Sequence, residues 1–442
     1  MDTHIDRVLG REILDSRGQP TVEAEVWLAD GAIGRAAVPA GASTGRHEAV
    51  ERRDGDPERY DGRGVRGAIA AITDEIDPEL AGEDAREQEL VDTLLVELDG
   101  TPNRSRLGAN AILAVSLATA RAAARASGIP LYRALGGRMA DTLPIPYLNV
   151  LNGGAHADSG LRIQEFMIVP LGFGSFGEAL GAGVRVRARL AALLAGQGHS
   201  TAVGDEGGFA PRLSGPEAAL EALTEAIEAA GYAPGTEMGL ALDAAASEFF
   251  TDDGYELFPD APPLPAPAMV ATYARWVERF PALGSIEDGL AEDDWEGWGA
   301  LTAALGDRVQ LVGDDLFVTQ QARLARGIRE RAANAVLVKP NQVGTLSETL
   351  EVVRQAQQAG FGVMLSHRSG ETGDATISHL AVATGAGQIK AGAPCRGERI
   401  AKYNELLRIE EHIGTRARLA ADPPAFRAGR AGGAGTPGAD GG

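Results

Sequence analysis

The chain has 442 residues, 44% of them hydrophobic and 23% charged, which is too long for one small core and ordinary for a globular protein with two domains or one barrel-sized fold. Its formal charge, 41 − 62 = −21, repels phosphate backbones and argues against nucleic acid as a main partner. A small anionic substrate stays open, because a local cluster of cations or a metal overrides the global field.

No run of about 18 apolar residues occurs, so no membrane-spanning helix is expected. The first residues, MDTHIDRVLG, lack a basic stretch followed by an apolar core, so no signal peptide is expected. A single cysteine, Cys395, excludes an internal disulfide framework, suits a reducing compartment and reads as a small buried thiol.

In chain order, TVEAEVWL (21–28) alternates Val22, Ala24, Val26 and Leu28 on one face, and Asp30-Gly31 is a hairpin signal before AIGRAAV. A small antiparallel sheet is predicted, ending in the loop PAGASTG (39–45). From about 64 to 127 the pattern is helical, most clearly over 107–128, with Gly128 as the stop. These parts make an α+β N-terminal domain.

After PIPYLNVLNGG (144–154) short apolar runs recur between helical stretches, and each run ends in polar residues. Those residues are Asp243, Glu287, Asp314, Lys339, His367 to Ser369, and Lys390. Spacings of about 23 to 44 residues allow one helical crossover each, which predicts a parallel sheet closed into a barrel. In such barrels the strand ends converge on one mouth. Residues 259–268 read as a proline-rich loop after the hairpin signal at 252–254. The Gly-, Ala- and Pro-rich end of the chain is too poor in apolar residues to order itself.

Asp243, Glu287 and Asp314 would bring three carboxylates to that mouth, a hard oxygen set suited to Mg²⁺. Ion pairing with arginines is the alternative for the trio. Asp315 reads as an indirect or structural neighbour. Only three of the 41 basic residues are lysines, Lys339, Lys390 and Lys402. They mark positions where arginine cannot serve, and a lysine beside a second lysine and a metal is expected to have a lowered pKa and to act as a general base. Arg368 suits bidentate phosphate binding and Ser369 supplies a hydrogen bond. Together these suggest a small phosphorylated, carboxylated substrate. Asp205 and Glu206 precede two glycines in VGDEGGFAP, and His156, Gln164 and Glu165 lie in residues 152–167.

The segments REILDSRGQPTVEAEV, GASTG, LGANAILAVSLA, NGGAHAD, QEFM, VGDEGGFAP, SIEDGL, LVGDDLFVT, SHRSGET and GQIKAGAP occur in an order that resembles enolase from about residue 4 to about residue 412. The resemblance implies an α/β fold: a C-terminal enolase-type βα (TIM-like) barrel over 140–420 and a smaller α+β N-terminal domain over 1–135, with a disordered tail over 421–442. It implies Mg²⁺-dependent, reversible dehydration of 2-phosphoglycerate to phosphoenolpyruvate, with two Mg²⁺ per site. By motif, Asp243, Glu287 and Asp314 resemble the ligands of the tightly held Mg²⁺, and Ser43 a loop ligand of the second. Lys339 resembles the base and Glu206 the acid, with Glu165 close to it. His156, Gln164, Arg368, Ser369, Lys390 and Ser43 resemble the substrate-binding set. A homodimer or octamer of dimers, in the cytoplasm with a possible surface or secreted fraction, is also implied.

Ala40, Ala155, Arg162, Pro340, Gly373 and Ala391 depart from the usual family pattern without removing a residue of proposed chemical role. They motivate a second reading, a specialised paralogue acting on a related phosphonate or phosphoenol compound, such as a carboxyphosphonoenolpyruvate synthase. A non-catalytic binding protein that keeps the fold is a third.

Overall fold

The alternating segment forms what its pattern dictates. In the computed structural model, which describes residues 2–41 and 45–426, β1 (Ile5–Leu14), β2 (Pro20–Leu28) and β3 (Ile33–Ala37) make an antiparallel sheet. Val22, Ala24 and Val26 are fully buried. The helix Ala109–Ala126 packs on this sheet. Gly34 permits the approach, since a Cβ there would lie 1.9 Å from the Ala118 carbonyl oxygen.

The remaining strands close a barrel: β4 (Ile145–Asn152), β5 (Glu165–Pro170), β6 (Met238–Asp243), β7 (Leu283–Glu287), β8 (Gln310–Gly313), β9 (Ala335–Val338), β10 (Gly362–Ser366) and β11 (Gly387–Lys390). Their order around the ring is β7-β8-β9-β10-β11-β4-β5-β6, closing back on β7. The helices Trp295–Leu305, Gln321–Glu330, Leu346–Gln358 and Thr376–Thr384 cross over between the later strands.

One feature corrects the expectation of an all-parallel barrel. β5 runs antiparallel to both neighbours. The link from β4 to β5, residues 153–164, holds only one short 3₁₀ turn, and a parallel return needs a crossover, usually a full helix. The reversal matters for the site. It puts the first residue of β5, Glu165, at the mouth where the other strands end.

The two ends of the barrel are filled differently. At the end away from the mouth Met167, Val169, Ala241, Val312 and Leu337 form one apolar cluster that also takes Phe426, beside a buried hydrogen-bonded set of Gln310, Gln388, Ser285 and the Tyr147 hydroxyl. Phe426 is buried and its ring fits where Gly239 and Gly284 leave room, a Cβ at either coming within 2.4 Å of it. Leu419, in the short strand Arg418–Leu419 pairing Thr142–Leu143, packs beside it. Residues 421–426 therefore belong to the barrel floor, and the expected disorder from 421 does not hold for them. Residues 427–442 of that expectation lie outside the described residues. The proline-rich loop is also shorter than expected, because the helix Ala266–Arg279 begins at residue 266 with a proline in its first turn.

The two parts are tied at the mouth side by Arg121 to Asp374 (2.9 Å), Arg104 to Glu348 (2.6 Å) and Ala40 to Gly370 backbone pairing. Phe426→Ala should open a cavity in the floor and cost about 3 kcal/mol. A lowered denaturation midpoint with unchanged turnover is the expected result in a guanidinium titration with parallel assays.

Candidate active site

Strand register builds the centre of the site. Glu165 on β5 faces Asp243 on β6, and Asp243 faces Glu287 on β7. Asn152 of β4 faces Glu165 from the other side. Three carboxylates thus stand in one buried row, each at most 3% exposed. Unmatched, such a row would be prohibitive, since burying one unpaired ion costs several kcal/mol.

Lys390, from the end of β11, supplies the match. Its ammonium lies 2.7 Å from Glu287, 2.8 Å from Asp243 and 2.9 Å from Glu165. Burial alone would lower its pKa, but these carboxylates outweigh that and hold it well above the ordinary lysine value. Lys339, just past β9, forms a short contact with Asp314. Its pKa is also raised, Asp314 outweighing the burial that would lower it. This differs from the expectation of a lowered lysine pKa, for a plain reason. Here the lysines are themselves the cations that neutralise the carboxylates. A metal ion engaging the same oxygens would reverse the sign.

Asp314 also accepts from Gln342 Nε2 (3.1 Å). The run VGDD places a buried Asp314 beside a half-buried Asp315, and Asp288 accepts both of their backbone N–H groups, at 2.9 Å from Asp314 and 2.8 Å from Asp315. Burial and the Asp314 charge push Asp315 up to about 8.

Across the mouth sits a carboxylate dyad. Ligand atoms of Glu165, Glu206 and His156 all lie within 4.8 Å of one another. Burial and the Glu206 charge push Glu165 well above the usual carboxylate range. At Glu206 burial acts in the same direction, but His156 and His367 outweigh it and hold it well below. Asn149 donates to Glu206 as well, at 3.0 Å. The two acids are thus driven apart, Glu165 toward its protonated form and Glu206 toward its ionised form. Burial lowers His367 to about 3, so its imidazole is neutral.

Arg368 is buried and its guanidinium is gripped by Glu48 (3.0 and 3.1 Å) and Asn341 Oδ1 (3.0 Å). Gln164 and His156 line the same mouth, with Gln164 Oε1 and His156 Nδ1 buried and unpartnered among the described residues. Ser369 is buried beside Arg368. Ser43 lies outside the described residues. The third lysine, Lys402, is not at the mouth. Its three donors meet Glu371 Oε2, Thr372 O and Glu398 O at 2.6 to 2.9 Å, a compact fit that a planar guanidinium could not copy.

The expected metal trio is only partly gathered. Asp243 and Glu287 share Lys390, while Asp314 is held by Lys339 and Gln342. Asp314 instead clusters with Asp288 and Asp315. The partners of these carboxylates are lysines, where the ion-pair alternative expected arginines. The donor set nevertheless fits a hard divalent cation. The trio's ligand atoms are all carboxylate oxygens, and Glu287 Oε2 and Glu165 Oε2 are buried without a hydrogen-bond partner.

Sequence reading gave no role to Asn149, Asn341, Gln342, Glu48, Asp288 or Arg399. A signal existed for some. Asn149 interrupts an otherwise apolar strand, and Asn341-Gln342 follow the strand-end lysine directly. Glu48 and Arg399 come from distant segments and carried none.

An eight-stranded barrel whose mouth gathers buried acids, lysines and a phosphate-suited arginine defines a βα-barrel enzyme acting on a small anion. Comparison with known proteins makes this specific. Residues 5–135 match the family model "Enolase, N-terminal domain", and residues 140–424 match "Enolase, C-terminal TIM barrel domain". Enolase from Acidothermus cellulolyticus is 57% identical over 430 residues, covering 97% of this chain and 99% of that protein. The chain belongs to the enolase family, whose members are Mg²⁺-dependent lyases.

Lys390→Met should leave the row uncompensated and lower stability by about 3–5 kcal/mol. Denaturant titrations with and without 10 mM Mg²⁺ would read this, with Mg²⁺ restoring more stability to the variant than it adds to the wild type.

Proposed function

We propose that this chain catalyses the reversible dehydration of 2-phosphoglycerate to phosphoenolpyruvate in glycolysis and gluconeogenesis, with two Mg²⁺ per site. The observation that carries the reading is a topological one. Lys339 follows β9 and Glu165 opens β5, and these strands lie four apart around an eight-stranded ring. Lys339 and the Glu165–Glu206 dyad therefore come from opposite walls, with Asp243 and Glu287 on strands between them. That arrangement suits removal of a proton from one face of a small substrate and loss of a hydroxyl from the other.

In this reading Arg368 binds the phosphate, its fork oriented by Glu48 and Asn341. Lys390 meets the substrate carboxylate, and His156, Gln164 and Ser369 complete the binding set. Lys339 Nζ takes the proton beside the carboxylate. The proton favoured on Glu165 passes to Glu206 and from it to the departing hydroxyl, which leaves as water, and both acids stay ionised until solvent returns a proton. Asp243, Glu287 and Asp314 would hold one Mg²⁺ and Ser43 would contribute to the second, and divalent charge there would both stabilise the developing dianion and engage Asp314 so that Lys339 can become neutral.

Of the departures from the family pattern, Ala40 is used through its backbone, Gly373 has open space around it, and Ala391 is fully buried. A homodimer or octamer of dimers working in the cytoplasm is carried by the family resemblance. No single helix among the described residues is long and apolar enough to cross a membrane.

Ultraviolet assay of phosphoenolpyruvate formation tests the reading. Wild type should turn over 2-phosphoglycerate only with Mg²⁺, and Lys339→Ala should lose about 10³-fold in kcat. Absent turnover in a folded, Mg²⁺-binding wild type would overturn it.

A further inference from the structure

Arg399 lies in the first turn of the helix Gly397–Ile413 and is completely buried. It reaches no carboxylate of the row. Its Nη1 contacts His367 Nδ1 and the Arg368 carbonyl, both at 2.5 Å. Its Nη2 donates to the Ser369 carbonyl at 2.5 Å and the Asp205 carbonyl at 3.0 Å. One guanidinium thus ties together the segment carrying the phosphate-suited arginine and the residue preceding Glu206.

The His367 contact has a chemical consequence that the carbonyl contacts lack. A guanidinium is a donor at every nitrogen and does not lose its proton. The ring nitrogen facing it must therefore be the acceptor, so the ring proton is on Nε2. A proton on Nδ1, in the other tautomer or the imidazolium, would set donor against donor. Nε2 in turn lies 3.3 Å from Glu206 Oε2, facing it without an aligned hydrogen bond, and has no other partner among the described residues. The backbone of His367 is pinned separately, its N–H donating to the Lys390 carbonyl at 3.0 Å.

We propose that Arg399 is a positioning residue that locks His367 as the neutral Nε2–H tautomer and so aims a fixed proton donor at Glu206. The inference rests on the reading of Glu206 as part of the proton-delivering dyad. The charged and titratable groups around the imidazole are Arg399 from its helix, Glu206 from the 204–208 loop, Lys390 from β11 and Arg368 on its own segment. His156 stands on the far side of Glu206, 3.7 Å from its other oxygen. With Arg399 in place a proton on Nδ1 is opposed, and Glu206 faces the N–H edge of a neutral imidazole. Without Arg399 the buried ring stays neutral but is free to turn its lone pair to Glu206.

The test is long-range ¹H–¹⁵N spectroscopy of the full chain labelled in histidine, with the His367 signal assigned through His367→Gln. Wild type should show the Nε2–H pattern unchanged from about pH 5 to 8. Arg399→Met should mix the two neutral tautomers. The same variant should lose about 10²-fold in kcat with KM little changed. Arg399→Lys, which keeps a cationic donor, should recover the wild-type pattern and at least tenfold of the lost rate. In the His367→Gln background, where an amide cannot exchange tautomers, Arg399→Met should cost less than threefold. An Nδ1–H or cationic His367 in the wild type would overturn the proposal. So would loss of rate in Arg399→Met with the Nε2–H pattern intact, which is the signature of a backbone clamp alone. The spectrum is read without substrate, so its failure is distinct from a failure to dehydrate 2-phosphoglycerate.

Discussion

Charge compensation inside the barrel mouth is the constraint from which the rest of this structure follows. Glu165, Asp243 and Glu287 occupy adjacent register positions on three neighbouring strands and are almost fully buried. Their mutual repulsion in a low-dielectric site is large, and it is met by a cation held among them and by burial that pushes Glu165 and Glu287 toward their protonated forms. Lys390 serves that need directly, and Lys339 does the same for Asp314. The same needs make the site chemically useful. A place that holds several buried anions around movable positive charge is also one that stabilises negative charge developing on a substrate.

The reversal of β5 is what completes the row. In an all-parallel barrel the residue opening this strand would sit at the far end, packed with Phe426 and Met167. Run the other way, it brings Glu165 beside Asp243 and within reach of Glu206. The structure also separates roles by environment. Glu165 and Glu206 are both buried carboxyls, yet one is pushed up and the other held down, because His156 and His367 outweigh burial at Glu206 while burial and the Glu206 charge prevail at Glu165. Behind that pair, Arg399 and Lys402 from successive turns of one helix fix the segment 367–372.

Much of the barrel was legible because each strand is short, apolar and closed by a polar residue. Asp243, Glu287 and Lys390 each end a strand, and Asp314 and Lys339 follow one directly. Strand direction was not legible. Period-two alternation is the same read from either end, and the β4–β5 link had to be recognised as too poor in helix for a crossover. The floor residue Phe426 was missed because one aromatic in an alanine- and glycine-rich end gives no periodic signal. Lysine pKa direction was misjudged because sequence shows which groups meet but not which cation takes the charge. Arg399 was invisible for a related reason: one arginine among 38 (41 basic residues less three lysines) differs from the others only in what it faces.

The most direct test of this electrostatic account uses the scarcity of lysine. With three lysines in the chain, ¹³C-lysine labelling gives three side-chain signals, and Lys402→Met removes the one away from the mouth. Titrating Lys339 and Lys390 with and without Mg²⁺ reads how the row's charge is shared. The account predicts that both titrate above the ordinary lysine value without the metal, and that Mg²⁺ lowers Lys339 by at least about one unit, worth about 1.4 kcal/mol. A Lys339 that titrates at the ordinary value without Mg²⁺, or that does not respond when Mg²⁺ binds, would contradict it.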